Sequence, residues 1–416
     1  MKKKIFLFCL FILILSSFIF SQTKIISNTR LEKIIEPKLY TEKTVFQNVS
    51  KKDLLADFDA FEYFLSTSYV AYDEMVQNGF ILEDLIFHIR NKIENDVINS
   101  SDELIKNIYE VLSNYICDSH FSIANNNLVY NFNPKFYEQN SGFPNDFKTI
   151  TNKGSVYLSM PGVLPDYFVE KSSVKEFFKN VYAELNNIRG KKYLIIDLRN
   201  CPGGFTDYPA ILLYSLYEGR QSVIPSDIYD VREFVYETIF SKIKSVKTPV
   251  TESLRYQNAI YIRNKKNEDN LRTSSIMQLK NPKRIIWTDS LKSSRKIHKP
   301  EYKGKIIFLT NNKTASAAEI LILFSKILFP KSIKVIGQNT MGCLTYIDVY
   351  QFFMPNNSFA ASMAFKSIED SLKQFDCWKG EGQGIEPDVI CSDDEILQNL
   401  IKITKDKKLQ FENDEK

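Results

Sequence analysis

Residues 193–204 read YLIIDLRNCPGG. Tyr193, Leu194, Ile195, Ile196 and Leu198 form an apolar run broken only by Asp197, the pattern of a strand buried on both faces. A buried strand that ends in Asp-Leu-Arg and then Pro-Gly-Gly presents bare backbone at its C-terminal edge, where α/β folds bind ligands. Gly203 and Gly204 allow backbone N–H groups to approach a ligand closely, as an oxyanion hole requires. A tight turn, for which Pro-Gly is sufficient, accounts for the same residues. The stretch is no phosphate loop, since neither G-x-G-x-x-G nor G-x-x-x-x-G-K is present.

The surroundings extend the α/β pattern. Upstream stand the strand SVYLSMPG and the helix SSVKEFFKNVYAELNNIRG, with Ser173 and Glu176 as a capping box and Gly190 as its stop. Downstream come the helical run YPAILLYSLYEG, the strand KIIFLT (305–310), the helix SAAEILILFSKIL, the strand SIKVIG, and two more strands, IDVYQFFMP and SFAASMAF. Apolar strands alternating with amphipathic helices predict a largely buried sheet over residues 151–395. Residues 225–302 interrupt the alternation with a polar stretch too long for an ordinary connection, either a lid or a surface insertion. Residues 22–150 are expected to form a mainly helical domain, with apolar faces at Leu54, Phe58, Phe61 and Leu65, at Ile81, Leu85, Ile89 and Ile93, and at Leu104, Ile108 and Leu112. His88 lies close to the second of these faces and reads as a packed or half-buried histidine. Residues 396–416 read as a solvated helix end and charged tail.

The first residues, MKKKIFLFCLFILILSSFIFSQ, have a basic start, an apolar stretch and a small residue before Gln22, which predicts a signal peptide over 1–21 and export to the periplasm or the medium. No stable membrane insertion is expected after its removal. Loss of Lys2, Lys3 and Lys4, with no acid, takes the formal charge from +4 to +1. That leaves no electrostatic footprint for nucleic acid. The remaining cysteines, Cys117, Cys201, Cys343, Cys377 and Cys391, are odd in number and make no C-x-x-C. Together with three scattered histidines (His88, His120 and His298) they give no metal-ligand spacing. Neither a metal nor an organic cofactor is implied.

The second informative stretch is TASAAEI, 314–320. Ser316 and Glu319 match a capping box. Their place after KIIFLT also puts Ser316 at a strand-to-helix junction, where free N–H groups and the helix dipole favour a developing negative charge. The surroundings are not the G-x-S-x-G elbow.

YLIIDLRNCPGG followed about a hundred residues later by TASAAEI resembles the C-terminal processing (tail-specific) and tricorn-core serine peptidases. The resemblance implies a ClpP/crotonase-like catalytic domain behind a small helical domain, with Ser316 as nucleophile. It assigns the oxyanion hole to the N–H groups of Gly203, Gly204 and Ala317. The short spacing between His120 and SVYLSMPG leaves no room for the PDZ module many relatives carry. Aligning GQNTMGCLTY places Cys343 where one branch has its catalytic lysine, so a Ser–Lys dyad is absent. The tricorn-like branch uses histidine instead, and NYICDSHFSI resembles its segment, which implies His120 as base and Ser119 as its neighbour. A Glu-x-x-Gly-x-x-Pro-Asp pattern, here Glu381, Gly384, Pro387 and Asp388, supplies the glutamate of the tetrad. A serine hydroxyl needs such a base, and an imidazole suits the task near neutral pH.

The expectation is an exported serine peptidase acting on peptides or proteins. A non-catalytic protein of the same fold that binds a peptide or an apolar ligand is the alternative. A nucleophilic Cys343 is a third reading, and Cys117 or Cys201 could pair with Cys343 or simply pack.

Overall fold

A computed structural model describes residues 49–125, 127–133, 148–151, 154–160, 171–204, 207–220, 227–246, 286–290, 296–354, 356 and 358–405. The expected signal peptide and residues 247–285 of the expected insertion lie outside them.

The parallel sheet is built on β5 (Tyr193–Asp197), which pairs with β4 (Ser155–Ser159) on one side and β8 (Lys305–Thr310) on the other. Beyond β8 lie β9 (Ile333–Gly337) and β12 (Val389–Ile390), also parallel, while β3 (Lys148–Thr151) closes the far edge antiparallel to β4. Every residue of β5 is buried, because both faces are covered. Leu194, Ile196, Ile306, Phe308 and Val335 face one core with Leu185 of α5 (Lys171–Ile188), Ile211 of α6 (Asp207–Glu218), Phe234 of α7 (Asp227–Ile239) and Phe324 of α8 (Ala317–Leu328). The alternate residues Tyr193, Ile195, Ile307, Leu309 and Ile336 face a second core, which Ile396 and Leu400 cover from α9 (Ile396–Thr404).

Two expectations change here. Residues 396–404 are not tail but a helix that closes the second face of the sheet. The expected insertion begins with an ordinary core element, α7, followed by β6 (Lys242–Val246).

A second, antiparallel sheet runs β2 (Val129–Asn131), β1 (Ser122–Ala124), β11 (Ala360–Ser367), β6 and β7 (Ile286–Ser290), with β10 (Tyr346–Phe353) also paired to β11. The amino-terminal helices pack on it. Phe58, Phe61 and Phe64 of α1 (Lys51–Ser68) and Ile105 and Ile108 of α4 (Ser101–Leu112) share one core with Phe352, Phe359 and Met363. The rings of Phe64 and Phe352 stack at 4.4 Å. A short helix, α2 (Tyr72–Gln77), precedes the expected second helix, α3 (Leu82–Glu94), whose buried stripe is Leu85, Ile89 and Ile93. His88 stands beside that stripe and is exposed, not packed. The fold is thus mixed α/β, with an amino-terminal helical region ahead of the parallel sheet. No helix among the described residues is long and apolar enough to cross a membrane.

Candidate active site

The C-terminal ends of β5 and β8 lie side by side, and the loops leaving them are stitched together. Thr314 Oγ1 donates to the Leu198 carbonyl at 2.8 Å, the Ala315 N–H donates to the Cys201 carbonyl at 2.9 Å, and Asn311 and Asn200 exchange two hydrogen bonds of 3.1 Å. The stitching brings Gly203 against Ser316. A Cβ added at Gly203 would stand 2.7 Å from the Ser316 Cβ, 2.8 Å from the Ala315 oxygen and 2.9 Å from the Ala317 nitrogen. Gly203 and Gly204 have φ of +101° and +114°, so glycine is required at both for conformation, and at Gly203 for space as well.

Ser316 immediately precedes α8 with φ +52° and ψ −117°. A non-glycine residue seldom adopts such backbone, and it persists only where the surroundings over-determine it. Here they do. Glu319, fully buried, accepts the Ser316 N–H at 2.8 Å and the Cys343 N–H at 2.9 Å on one carboxylate oxygen. Its other oxygen accepts the Thr340 hydroxyl at 2.5 Å and the Gly342 N–H at 2.9 Å. Burial raises its pKa, and these hydrogen bonds oppose the rise. The Glu319 half of the expected capping box is therefore present, and the same carboxylate ties the serine to the 340–343 loop.

That loop meets the segment ahead of β1. His120 has about a fifth of its side chain exposed. Its N–H donates to Asp118 Oδ1 at 2.7 Å, and its ring is hydrogen-bonded to the Tyr346 carbonyl. Burial pushes its pKa down to about 4, so the imidazole is neutral at pH 7 and able to accept a proton. The Cys343 Sγ lies 3.5 Å from Nε2 and 3.8 Å from Nδ1. A sulfur so nearly equidistant from the two nitrogens sits on the Cε1 side or over the ring face, in line with neither lone pair. Cys343 is thus a wall for the ring. Burial, then the charges of Glu381 and Glu319, push its thiol well above the ordinary range, which makes it a poor nucleophile.

Ser119 is buried, and its hydroxyl accepts from Asn133 Nδ2 at 2.7 Å and is hydrogen-bonded to the Cys343 thiol. Its N–H donates to Glu381 Oε1 at 3.4 Å. Glu381 Oε2 accepts the Leu344 and Thr345 N–H groups at 3.1 and 2.8 Å. Burial first, and then the charge of Asp118, raise the Glu381 pKa to about 8.

Ser119, His120 and Glu381 therefore form one cluster, joined to Ser316 through Cys343 and Glu319. Glu381 meets Ser119 through its amide, not its hydroxyl. The Ser316 hydroxyl and the His120 ring make no direct hydrogen bond among the described residues, a looseness usual in ligand-free sites. None of the five cysteines outside the expected signal peptide forms a disulfide. Among the described residues no group of His, Cys, Asp or Glu could hold a metal ion. Sequence reasoning missed Asp118 and the wider role of Glu319, although the capping-box spacing had already singled out Glu319.

The model of peptidase family S41 matches residues 157–391, more than half of the chain. Among solved structures, a lipoprotein from Streptococcus agalactiae is 17% identical, with 84% of this chain and 96% of that one covered and a TM-score of 0.46. A putative peptidase from Parabacteroides merdae is 14% identical, with 84% and 93% covered and a TM-score of 0.44. Mature CPAF is 12% identical, with 85% and 97% covered and a TM-score of 0.46. None of the curated proteins compared matches the sequence.

Proposed function

The chain belongs to peptidase family S41, and from that premise we propose that it is an exported serine peptidase of the histidine-using, tricorn-like kind. Ser316 attacks the peptide carbonyl, and His120 takes its proton and returns it to the leaving amine. Water then hydrolyses the acyl-enzyme with the same histidine as base. N–H groups of Gly203 or Gly204 and of Ala317 hold the developing oxyanion beside the amino end of α8. Ser119 and Glu381 hold the His120 segment. Residues 1–21 direct export to the periplasm or beyond.

The observation that carries the reading is the backbone of Ser316. A strained φ of +52°, held by a buried carboxylate and faced by a glycine that tolerates no Cβ, is more than a helix cap needs. The neutral His120 across Cys343 supports the choice of base. The test is labelling of the purified protein with a fluorophosphonate probe, beside Ser316→Ala and His120→Ala. Labelling that disappears in the first variant and slows at least a hundredfold in the second is expected. Folded wild type that neither labels nor cleaves any peptide in a mixed substrate pool would overturn the reading. Amino-terminal sequencing of the secreted or periplasmic protein, expected to begin near Gln22, tests export.

A further inference from the structure

Three buried carboxyls, Asp118, Glu319 and Glu381, surround the base and the nucleophile, and each is satisfied mainly by backbone N–H groups. Asp118 differs from the other two in one respect. The oxygen that accepts the His120 N–H also stands 4.0 Å from His120 Nδ1, on the same residue's ring. Asp118 is fully buried, and its second oxygen accepts the Tyr69 hydroxyl at 3.1 Å from a residue itself 1% exposed. The carboxyl therefore cannot rotate towards solvent. Glu381, by contrast, reaches the His120 segment only through the Ser119 amide.

We propose that Asp118 is the positioning residue of His120, fixing its main chain and, when ionised, stabilising the imidazolium that forms as the ring takes the Ser316 proton. The proposal rests on the reading of His120 as the base. The other groups around the ring do not take this part. Cys343 presents a thiol, Tyr346 presents its carbonyl while its hydroxyl donates to Glu74, and Glu74 is paired with Lys244 at 3.3 Å. Glu319 acts on this region through the Gly342 and Cys343 amides. Burial raises the pKa values of Asp118 and Glu381 as a coupled pair, to about 7 and about 8, so the pair ionises within the working range of a neutral-pH enzyme while His120 is already deprotonated. An opposite charge at this distance moves a neighbour's pKa by roughly one to three units.

The test is the rate of fluorophosphonate labelling of Ser316 from pH 5.5 to pH 9.5 in wild type, Asp118→Asn, His120→Ala and Tyr69→Phe. Wild-type labelling is expected to climb through neutral pH as Asp118 ionises. Asp118→Asn loses that climb, so the ratio of wild type to variant grows on the order of tenfold between pH 6 and pH 9. A carboxyl with only a structural role lowers the rate by one factor at every pH, and parallel profiles overturn the proposal. Tyr69→Phe is the second arm and stands even if Asp118→Asn does not fold. Loss of the hydroxyl that favours the ionised form shifts the climb to higher pH, and an unshifted climb overturns the proposal. The failures separate cleanly. If His120→Ala labels like wild type, the base is another group and Asp118 falls with it. If His120→Ala is slow while Asp118→Asn runs parallel to wild type, only the role of Asp118 is lost.

Discussion

Replacement of Gly203 by alanine tests whether the two strand-end loops form one catalytic unit. Two costs act at that position. The first is conformational: an L-residue forced to φ +101° loses about 1–2 kcal/mol. The second is steric, because the new methyl would meet the Ser316 Cβ, the Ala315 oxygen and the Ala317 nitrogen, all closer than 3 Å. Two of these three atoms are backbone, so no rotamer change relieves the clash, and overpacking of this kind costs about 1–3 kcal/mol. Together the destabilisation is about 2–5 kcal/mol. The relief must come from moving the residue 203 turn or the residues flanking Ser316. Displacement of a reacting group by about 1 Å costs on the order of a hundredfold in rate. Gly79 supplies the control. It has φ +91° with open space around it, so Gly79→Ala should cost only the conformational part, about 1–2 kcal/mol, and leave labelling of Ser316 untouched. Thermal melts of the three proteins, run beside fluorophosphonate labelling, give both readouts. A Gly203→Ala protein that melts no lower than Gly79→Ala, or labels within a few-fold of wild type, would refute the close approach and the oxyanion assignment built on it.

The remaining predictions concern the charge cluster, the thiols and the last helix. Asp118 and Glu381 carry pKa values raised to about 7 and about 8, so between the ordinary carboxylate range and those values the folded state binds protons that the unfolded chain does not. Stability from these two groups is full in acid and falls as pH rises through 7 to 8, by up to about 1.4 kcal/mol per pH unit for each group. His120, lowered to about 4, acts with the opposite sign, but only below its unfolded value of about 6.5. Melting temperature should therefore decline from pH 6.5 to about pH 8 and level off above it, and Glu381→Gln should flatten the decline; an unchanged slope contradicts the raised pKa. Cys343→Ala should keep labelling within about tenfold of wild type, since the buried thiol is a wall and no nucleophile, and a dead variant would revive it as one. In native protein a thiol reagent should modify exposed Cys117 and spare Cys343 until denaturation. Leu400→Ala should cost about 2–5 kcal/mol, measured as a lowered melting temperature, because Leu400 is fully buried against the sheet; no change would return residues 396–404 to the tail.

What could be read from the sequence follows the range of the interactions involved. YLIIDL announces a buried strand because burial on both faces acts on every residue of a short run, and the structure puts its alternate side chains into two separate cores. The helix DIYDVREFVYETI was also legible, with Val231, Phe234 and Val235 at helical spacing, but it was averaged into the polar stretch that follows it. ITKDKK hides the last helix in the same way, because the lysines after Ile401 outweigh the two fully buried residues, Ile396 and Leu400, that anchor it on the sheet. At the site, Ser316, His120, Ser119 and Glu381 are legible because each belongs to a short motif. The contacts that join them follow from no motif. Glu319 accepts from a loop more than twenty positions away, and Glu381 reaches an amide 262 positions earlier. Asp118 faces the ring two residues further along the chain because Tyr69 and a closed core prevent it from turning outward. A buried carboxylate satisfied by amides leaves no partner side chain in the sequence, since any residue other than proline can supply the N–H. The motifs therefore reveal which groups do the chemistry. The geometry that aims them rests on backbone donors, and these become visible only once the two sheets are brought together.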